Sequence, residues 1–258
     1  QGATLVQDLQ TEGDVKSAAI KSFGDVQHAF IERATGLENL SQAWPGFQTV
    51  AHDPEARPLG IRCSRIDHLT NNVPKGEMEH WVDFYKRTYG FVETRYFDIK
   101  GVKTGLNSKV VQSADNRIII PINEPDREGS KSQIQEFLDM HKGAGVQHIA
   151  LMTPDIIKTV GELRERGLQF LDVPDTYYEA LPTRPFTFSE DPNILKGLKL
   201  LLDGDPEGYL LQIFSQTYIG PLFFEFIQRK NHWGFGEGNF QALFDAIERD
   251  QARRGYLT

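Results

Sequence analysis

The chain has 258 residues, 39% hydrophobic and 25% charged, with 28 basic against 36 acidic side chains and a formal charge of −8. That length allows one large domain or two small ones, and the acidic balance gives neither a basic face for nucleic acid nor attraction to an anionic membrane. The lone Cys63 excludes an intrachain disulfide and a cysteine-rich zinc site, and no stretch approaches the roughly 18 apolar residues of a membrane span. The composition reads as that of a soluble, cytoplasmic protein. The chain opens at Gln1 without a basic or apolar leader, which reads as a chain entered partway rather than a secretory one.

Residues 1–43 read as the tail of a first domain. Phe30-Ile31-Glu32-Arg33 echoes Phe226-Ile227-Gln228-Arg229, each after a short strand-like run, and the alignment sets Ala29 opposite Glu225. The early segment therefore lacks a carboxylate that the later one keeps. Residues 44–58, with three prolines and little periodicity, read as a linker, and 59–258 as a second domain.

That domain opens on a repeated unit. Ile66-Asp67-His68-Leu69 is followed by Pro74 and an amphipathic stretch over 77–89, in which Met78, Trp81, Tyr85 and Tyr89 recur at helical spacing before Gly90. Val146-Gln147-His148-Ile149-Ala150-Leu151 is followed by Thr153 as N-cap, Pro154 at the first helical position, and a helix with Ile157, Val160 and Leu163 ending at Gly167. Each histidine sits in a short apolar run with a proline six residues later. Between the units, strands are predicted at 91–99 and 117–122, then a helix with Ile134, Phe137 and Leu138. Beyond the second unit come a strand at 168–173, a polar excursion broken by prolines over 174–197, and strands at 209–214 and 222–227. A closing helix, capped by Asn239, carries Phe240, Leu243, Phe244 and Ile247 on one face. This mixture predicts an α+β fold rather than a doubly wound sheet, and neither GxGxxG nor a P-loop occurs.

His68, His148 and Glu225 stand out as polar groups in apolar strands. Within Phe223-Phe224-Glu225-Phe226-Ile227, alternation puts Phe223, Glu225 and Ile227 on one face, where an ionised carboxylate is costly without a compensating cation or donors. Two imidazoles and one carboxylate on adjoining strands match the facial site of non-haem Fe(II), with coordination positions left free. Singly, each also fits a plainer role, as a hydrogen-bonded core histidine or a Glu paired with an Arg. The polar groups Ser108, Asn123, Gln133, Gln147 and Gln212 suit orientation of an oxygenated ligand or bonds to backbone alone. Gln147 should face away from its neighbour His148 unless the strand bulges. Phe214, Phe223, Phe235, Phe240 and Phe244 read by default as core, with a ligand cage as the alternative, and Gly234-Phe235-Gly236-Glu237-Gly238 as a lid-like approach to the last helix.

Several ordered stretches carry a resemblance: Gly105-Leu106-Asn107-Ser108, Pro121-Ile122-Asn123-Glu124-Pro125, Lys131-Ser132-Gln133-Ile134-Gln135, Gly143 to Ala150, Leu211-Gln212-Ile213-Phe214 and Gly234 to Phe240. Together they resemble the 4-hydroxyphenylpyruvate dioxygenases across residues 58–258. The resemblance implies a vicinal-oxygen-chelate fold, an open glyoxalase-like barrel of paired βαβββ units. It implies Fe(II), one per chain, on His68, His148 and Glu225. It also implies a 2-oxo acid chelating that iron near Gln212, a phenol end oriented by Ser108, Asn123, Gln133 and Gln147, and a ring gripped by Phe214 and Phe240 and lined by Phe223 and Phe235. The implied reaction turns 4-hydroxyphenylpyruvate and O2 into homogentisate and CO2 in tyrosine catabolism, in a homodimer or homotetramer. Two alternatives share the fold: 4-hydroxymandelate synthase, and a non-catalytic protein that binds an aromatic ligand.

Overall fold

The computed structural model describes residues 2–33, 60–100, 104–127, 131–239, 251–252 and 254–255. They fall into two compact units, Gln1–Gly60 and Ile61–Thr258. The expected linker at 44–58 and the closing helix over 240–247 lie outside the described residues.

In the first unit, β1 (Leu5–Glu12), β2 (Val15–Lys21) and β3 (Gln27–Arg33) form an antiparallel sheet in the order β1-β2-β3. Val15, Ala19 and Phe23 are buried here. The sequence signalled only the last of these strands, because β1 carries polar residues on both faces.

The second unit holds an eight-stranded sheet. Its first repeat is β4 (Arg65–Asn72), α1 (Met78–Tyr89), β5 (Val92–Lys100), β6 (Gly105–Gln112) and β7 (Ile119–Pro125). After α2 (Gln133–His141), the second repeat is β8 (Gly145–Met152), α3 (Ile156–Glu165), short helices α4 (Asp175–Glu179) and α5 (Pro192–Leu198), then β9 (Leu201–Asp205), β10 (Gly208–Phe214) and β11 (Phe223–Lys230). The strand order is β5-β6-β7-β4-β8-β11-β10-β9. Each repeat contributes four adjacent strands, and the opening strands β4 and β8 meet antiparallel at the centre. In each repeat the opening strand also runs parallel to the last, β4 with β7 and β8 with β11. The result is the α+β fold of paired βαβββ units.

Seven of the eight strands, all but β9, send side chains to one cavity. At roughly 4.8 Å between neighbouring strands, a flat sheet could not do this, so the sheet curls around it. Outside the curl, Ile156, Val160, Leu195, Leu200, Leu202 and Leu211 are at or near complete burial in the second repeat. Met78, Val82 and Tyr85 bury the inner face of α1 in the first, whose end at Gly90 takes the left-handed conformation expected of a helix stop.

Several sequence expectations need correction. β6 and β9 were not read as strands: β6 mixes Asn107, Ser108 and Lys109 into its apolar residues, and β9 closes on Gly204 and Asp205. The segment 168–173 is no strand. Phe170 makes a single bridge to Ser215 before Pro174 diverts the chain. The excursion at 174–197 folds into α4, a 3₁₀ turn and α5 rather than staying irregular. Helix α3 starts two residues later than the Thr153-Pro154 pair suggests. Asp155 is the cap and accepts the Lys158 amide at 3.1 Å, while the Thr153 hydroxyl takes the Asp155 amide.

Candidate metal centre

β4, β8 and β11 are neighbours, so a residue on each can share one point in space. β8 and β11 pair in parallel with Glu225 opposite Ala150, two residues along from His148, while His68 lies opposite Ala150 from the other side. The three side chains converge. His68 Nε2 and His148 Nε2 lie 3.2 and 3.3 Å from the same Glu225 oxygen and 3.4 Å from each other. All three residues are buried. Donors spaced in this way form one face that a single ion can cap at about 2.1 Å from each atom. An anion with two imidazoles is also the donor chemistry that suits a divalent transition metal. The residues fit a metal.

What aims the histidines is a pair of bulges. In the β4–β8 register, Ile66 opposes Leu151 and His68 opposes Ala150, which leaves Asp67 without a partner. Likewise Thr70 opposes His148 and Asn71 opposes Val146, which leaves out Gln147. A bulge lets two consecutive side chains share a face. Asp67 thereby reaches His68, whose Nδ1 donates to the carboxylate at 2.9 Å. Gln147 reaches His148, whose Nδ1 lies 3.1 Å from the amide oxygen. Occupying Nδ1 leaves each Nε2 lone pair for the metal. The conditional expectation for Gln147 thus resolves in favour of the bulge.

Beyond the three donors, the cavity has a volume of about 80 Å³ and is walled by apolar groups such as Phe97, Leu106, Val110 and Pro121. Ser108, Asn123, Gln133 and Gln147 line it, as do Phe214, Phe223 and Phe235. Ser108 and Asn123 are direct cross-strand neighbours, and Asn123 also donates to Asn72 at 3.2 Å. Phe223 stacks on His148 at 4.9 Å, and Phe235 meets His68 edge-on at 5.4 Å. Gln212 does not line the cavity. It is fully buried on the strand face that carries Glu225, beneath Gly236, and among the described residues neither of its amide atoms has a hydrogen-bond partner. Phe240 lies outside the described residues. In the first repeat, the position matching Glu225 falls one residue before Ile122, at Pro121. That repeat therefore offers a histidine but no carboxylate at the matching position.

Without a metal the trio holds a proton. Burial pushes the His68 pKa down, but the charge of Glu225 and the bond to Asp67 outweigh it and raise the pKa to about 9. Burial works against the Glu225 carboxylate, yet the two imidazoles, His68 first, bring its pKa to about 2. Burial lowers the His148 pKa, and the neighbouring His68 charge adds to that. Relative to the unfolded chain, the His68 contribution to stability is complete below pH 6.5 and is lost as the pH rises through about 9. The Glu225 contribution is complete above pH 4.5 and lost as the pH falls toward about 2. Melting temperatures of the metal-free protein should therefore decline between pH 6.5 and 9. A flat melting profile across that window would contradict the ion pair.

Sequence reasoning missed Asp67 and Arg229. Asp67 accepts from Arg229 Nε at 2.8 Å and Nη2 at 2.7 Å. Burial would raise the Asp67 pKa, but the Arg229 and His68 bonds hold it well below the usual carboxylate range. The adjacent Asp67-His68 pair was visible in the sequence, but simple alternation places Asp67 on the opposite face.

A curled sheet of two βαβββ repeats, with two histidines and a carboxylate facing its interior, defines a class of fold and site. Residues 65–213 match the Glyoxalase/Bleomycin resistance protein/Dioxygenase superfamily. Within that class the chain belongs to the 4-hydroxyphenylpyruvate dioxygenase family. It is 53% identical over 259 aligned residues to the 4-hydroxyphenylpyruvate dioxygenase of Pseudomonas aeruginosa, covering 100% of this chain and 71% of that protein. A Vibrio vulnificus protein named Hemolysin VllY is 54% identical over 194 residues, covering 74% of this chain. The match spans only 54% of the Vibrio protein and 58% of a Legionella pneumophila 4-hydroxyphenylpyruvate dioxygenase, little more than half of either. Among solved structures, a triply substituted 4-hydroxymandelate synthase from Streptomyces coelicolor superposes with a TM-score of 0.76 at 30% identity, covering 97% of this chain and 70% of that one. Family membership implies a metal cofactor, and none of the described helices is long and apolar enough to cross a membrane.

Proposed function

We propose that the metal is Fe(II), held by His68, His148 and Glu225, and that residues 59–258 form a catalytic domain converting 4-hydroxyphenylpyruvate and O2 to homogentisate and CO2. The observation that carries this reading is the three-donor face set within a largely apolar cavity whose polar lining continues along the same strands. Asn72, beside Asn123, is four positions along β4 from His68, or roughly 13 Å of strand. That span suits a substrate with an acid at one end and a phenol at the other.

When bound, the metal supplies a chelation point for the 2-oxo acid and activates O2 for its oxidative decarboxylation. The chain's own groups do the rest. Glu225 supplies the anionic donor, and Asp67 and Gln147 fix the histidine tautomers. Ser108, Asn123, Gln133 and Gln147 orient the phenol end through hydroxyl and amide bonds. Phe214 and Phe223 flank the ring and Phe235 covers it, excluding water from the reacting centre. Gln212, whose amide lies beneath Gly236, backs the acid end without lining the cavity, and Phe240 completes the grip on the ring. A substrate that carries its own 2-oxo acid needs no second oxo-acid co-substrate.

Product analysis tests the reading. The metal-loaded protein given 4-hydroxyphenylpyruvate and O2 should release homogentisate and CO2. Hydroxymandelate as the product would assign the chain to the chemistry named for its Streptomyces structural neighbour. No product, with the ligand bound, would make it a binding protein.

A further inference from the structure

Arg229 stands on β11, the strand that carries Glu225, and all three of its guanidinium nitrogens donate hydrogen bonds. Two nitrogens grip the Asp67 carboxylate, and the third, Nη1, donates to the carbonyl of His232 at 3.1 Å and to that of Gly234 at 2.6 Å. The side chain is 4% exposed and that of Asp67 2%. At one end, therefore, the pair fixes Asp67, which orients His68. At the other it holds the start of the Gly234–Gly238 segment, whose Phe235 roofs the cavity against His68. The segment is pressed onto the sheet at two further points: Gly236 lies over Gln212, and the Gly238 amide donates to Asp203 at 2.9 Å. Among the described residues His148 has no such connection, since its Nδ1 partner is the neutral Gln147.

We propose that Arg229 is a positioning residue that couples metal binding at His68 to closure of the Gly234–Gly238 roof through Asp67. The inference rests on the metal site proposed above. Capture of a metal by His68 fixes the imidazole, hence Asp67 and the guanidinium plane, and so the two carbonyls that start the roof. By reciprocity, a roof held in place favours the metal-ready orientation of His68. A planar fork is required, because a lysine ammonium cannot grip a carboxylate with two parallel bonds and also reach two carbonyls.

The test measures Fe(II) affinity anaerobically by chelator competition, and amide hydrogen exchange over residues 230–239 with and without Fe(II), in the wild type, Arg229→Gln and Arg229→Lys. Circular dichroism selects the variants that fold. In the wild type, Fe(II) should slow exchange in that segment. Arg229→Gln should bind Fe(II) roughly 10–100-fold more weakly, the usual effect of losing a partner behind a ligand, and its segment should no longer respond to the metal. Arg229→Lys, which keeps the charge against Asp67, should recover part of the affinity without recovering the response. The coupling is overturned if either folded variant keeps both wild-type affinity and the wild-type exchange response, or if Fe(II) leaves exchange in the wild-type segment unchanged. Failure of the wild type to bind Fe(II) at all would instead overturn the metal assignment, and the inference with it. Neither readout depends on which product the enzyme makes.

Discussion

Glu225→Ala is expected to abolish Fe(II)-dependent turnover while leaving the fold intact. Of the three donors it supplies the only negative charge, and its oxygen lies 3.2 and 3.3 Å from the two imidazole nitrogens. The variant leaves two neutral ligands and no anionic donor for a divalent cation, since the Asp67 carboxylate is engaged by Arg229 and His68 Nδ1. The loss should exceed the roughly 10–100-fold that follows removal of an outer hydrogen-bond partner, and turnover should fall a thousandfold or more by that comparison. The fold survives because the buried charge goes with its counter-charge. Once Glu225 is absent, the main group raising the pKa of His68 is gone, so the imidazole can shed its proton rather than remain an unpaired buried cation. Metal content after loading, O2 uptake and a thermal melt check the three parts separately. Full turnover in this variant would remove Glu225 from the metal site.

Gly236→Ala carries the second large effect. Gly236 has φ +77, and a Cβ there would lie 2.2 Å from Gln212 Oε1. The left-handed conformation alone costs an L-residue about 1–2 kcal/mol. The clash adds to this because Gln212 is fully buried, so its amide must shift within a packed interior to make room. Relief comes from lifting the roof, which takes the adjacent Phe235 ring away from His68 and lets water into the site. A displacement of about 1 Å in a positioning group can cost a hundredfold, so kcat/KM should fall by roughly that factor, while the sheet, complete at Lys230, is unaffected. Gly220→Ala is the control. At φ +56 with no atom within 4 Å of a Cβ, it bears the backbone strain without touching the roof, and turnover should persist. Equal activity losses in the two variants would attribute the effect to strain rather than to roof placement.

The two variants also mark what could be read in advance. The donor trio was legible because each member breaks its surroundings: a carboxylate among phenylalanines, and two imidazoles at matching places in repeated segments. The repeat itself was legible because each unit announces its helix with a proline and closes it with a glycine. By contrast, β6 was hidden by the same polar residues that line the cavity, since Asn107 and Ser108 spoil the alternation by which a strand is recognised. The aromatic residues were ambiguous for a different reason. Phe214, Phe223 and Phe235 have the composition of core, and only their positions around His148 and His68 distinguish a cavity wall from a packed interior.

Residue type and local period were enough to mark the candidate metal-binding residues, their place on strands and the two-unit α+β fold that carries them. The tertiary structure decided how the ligands are aimed. Two bulges, each one residue in size, turn Asp67 and Gln147 toward the histidines they precede, and Arg229 reaches across from β11 to tie the first of them to the roof. A bulge has no signature in a single strand. It exists only in the register between two strands, and that register is fixed by the packing of the whole sheet.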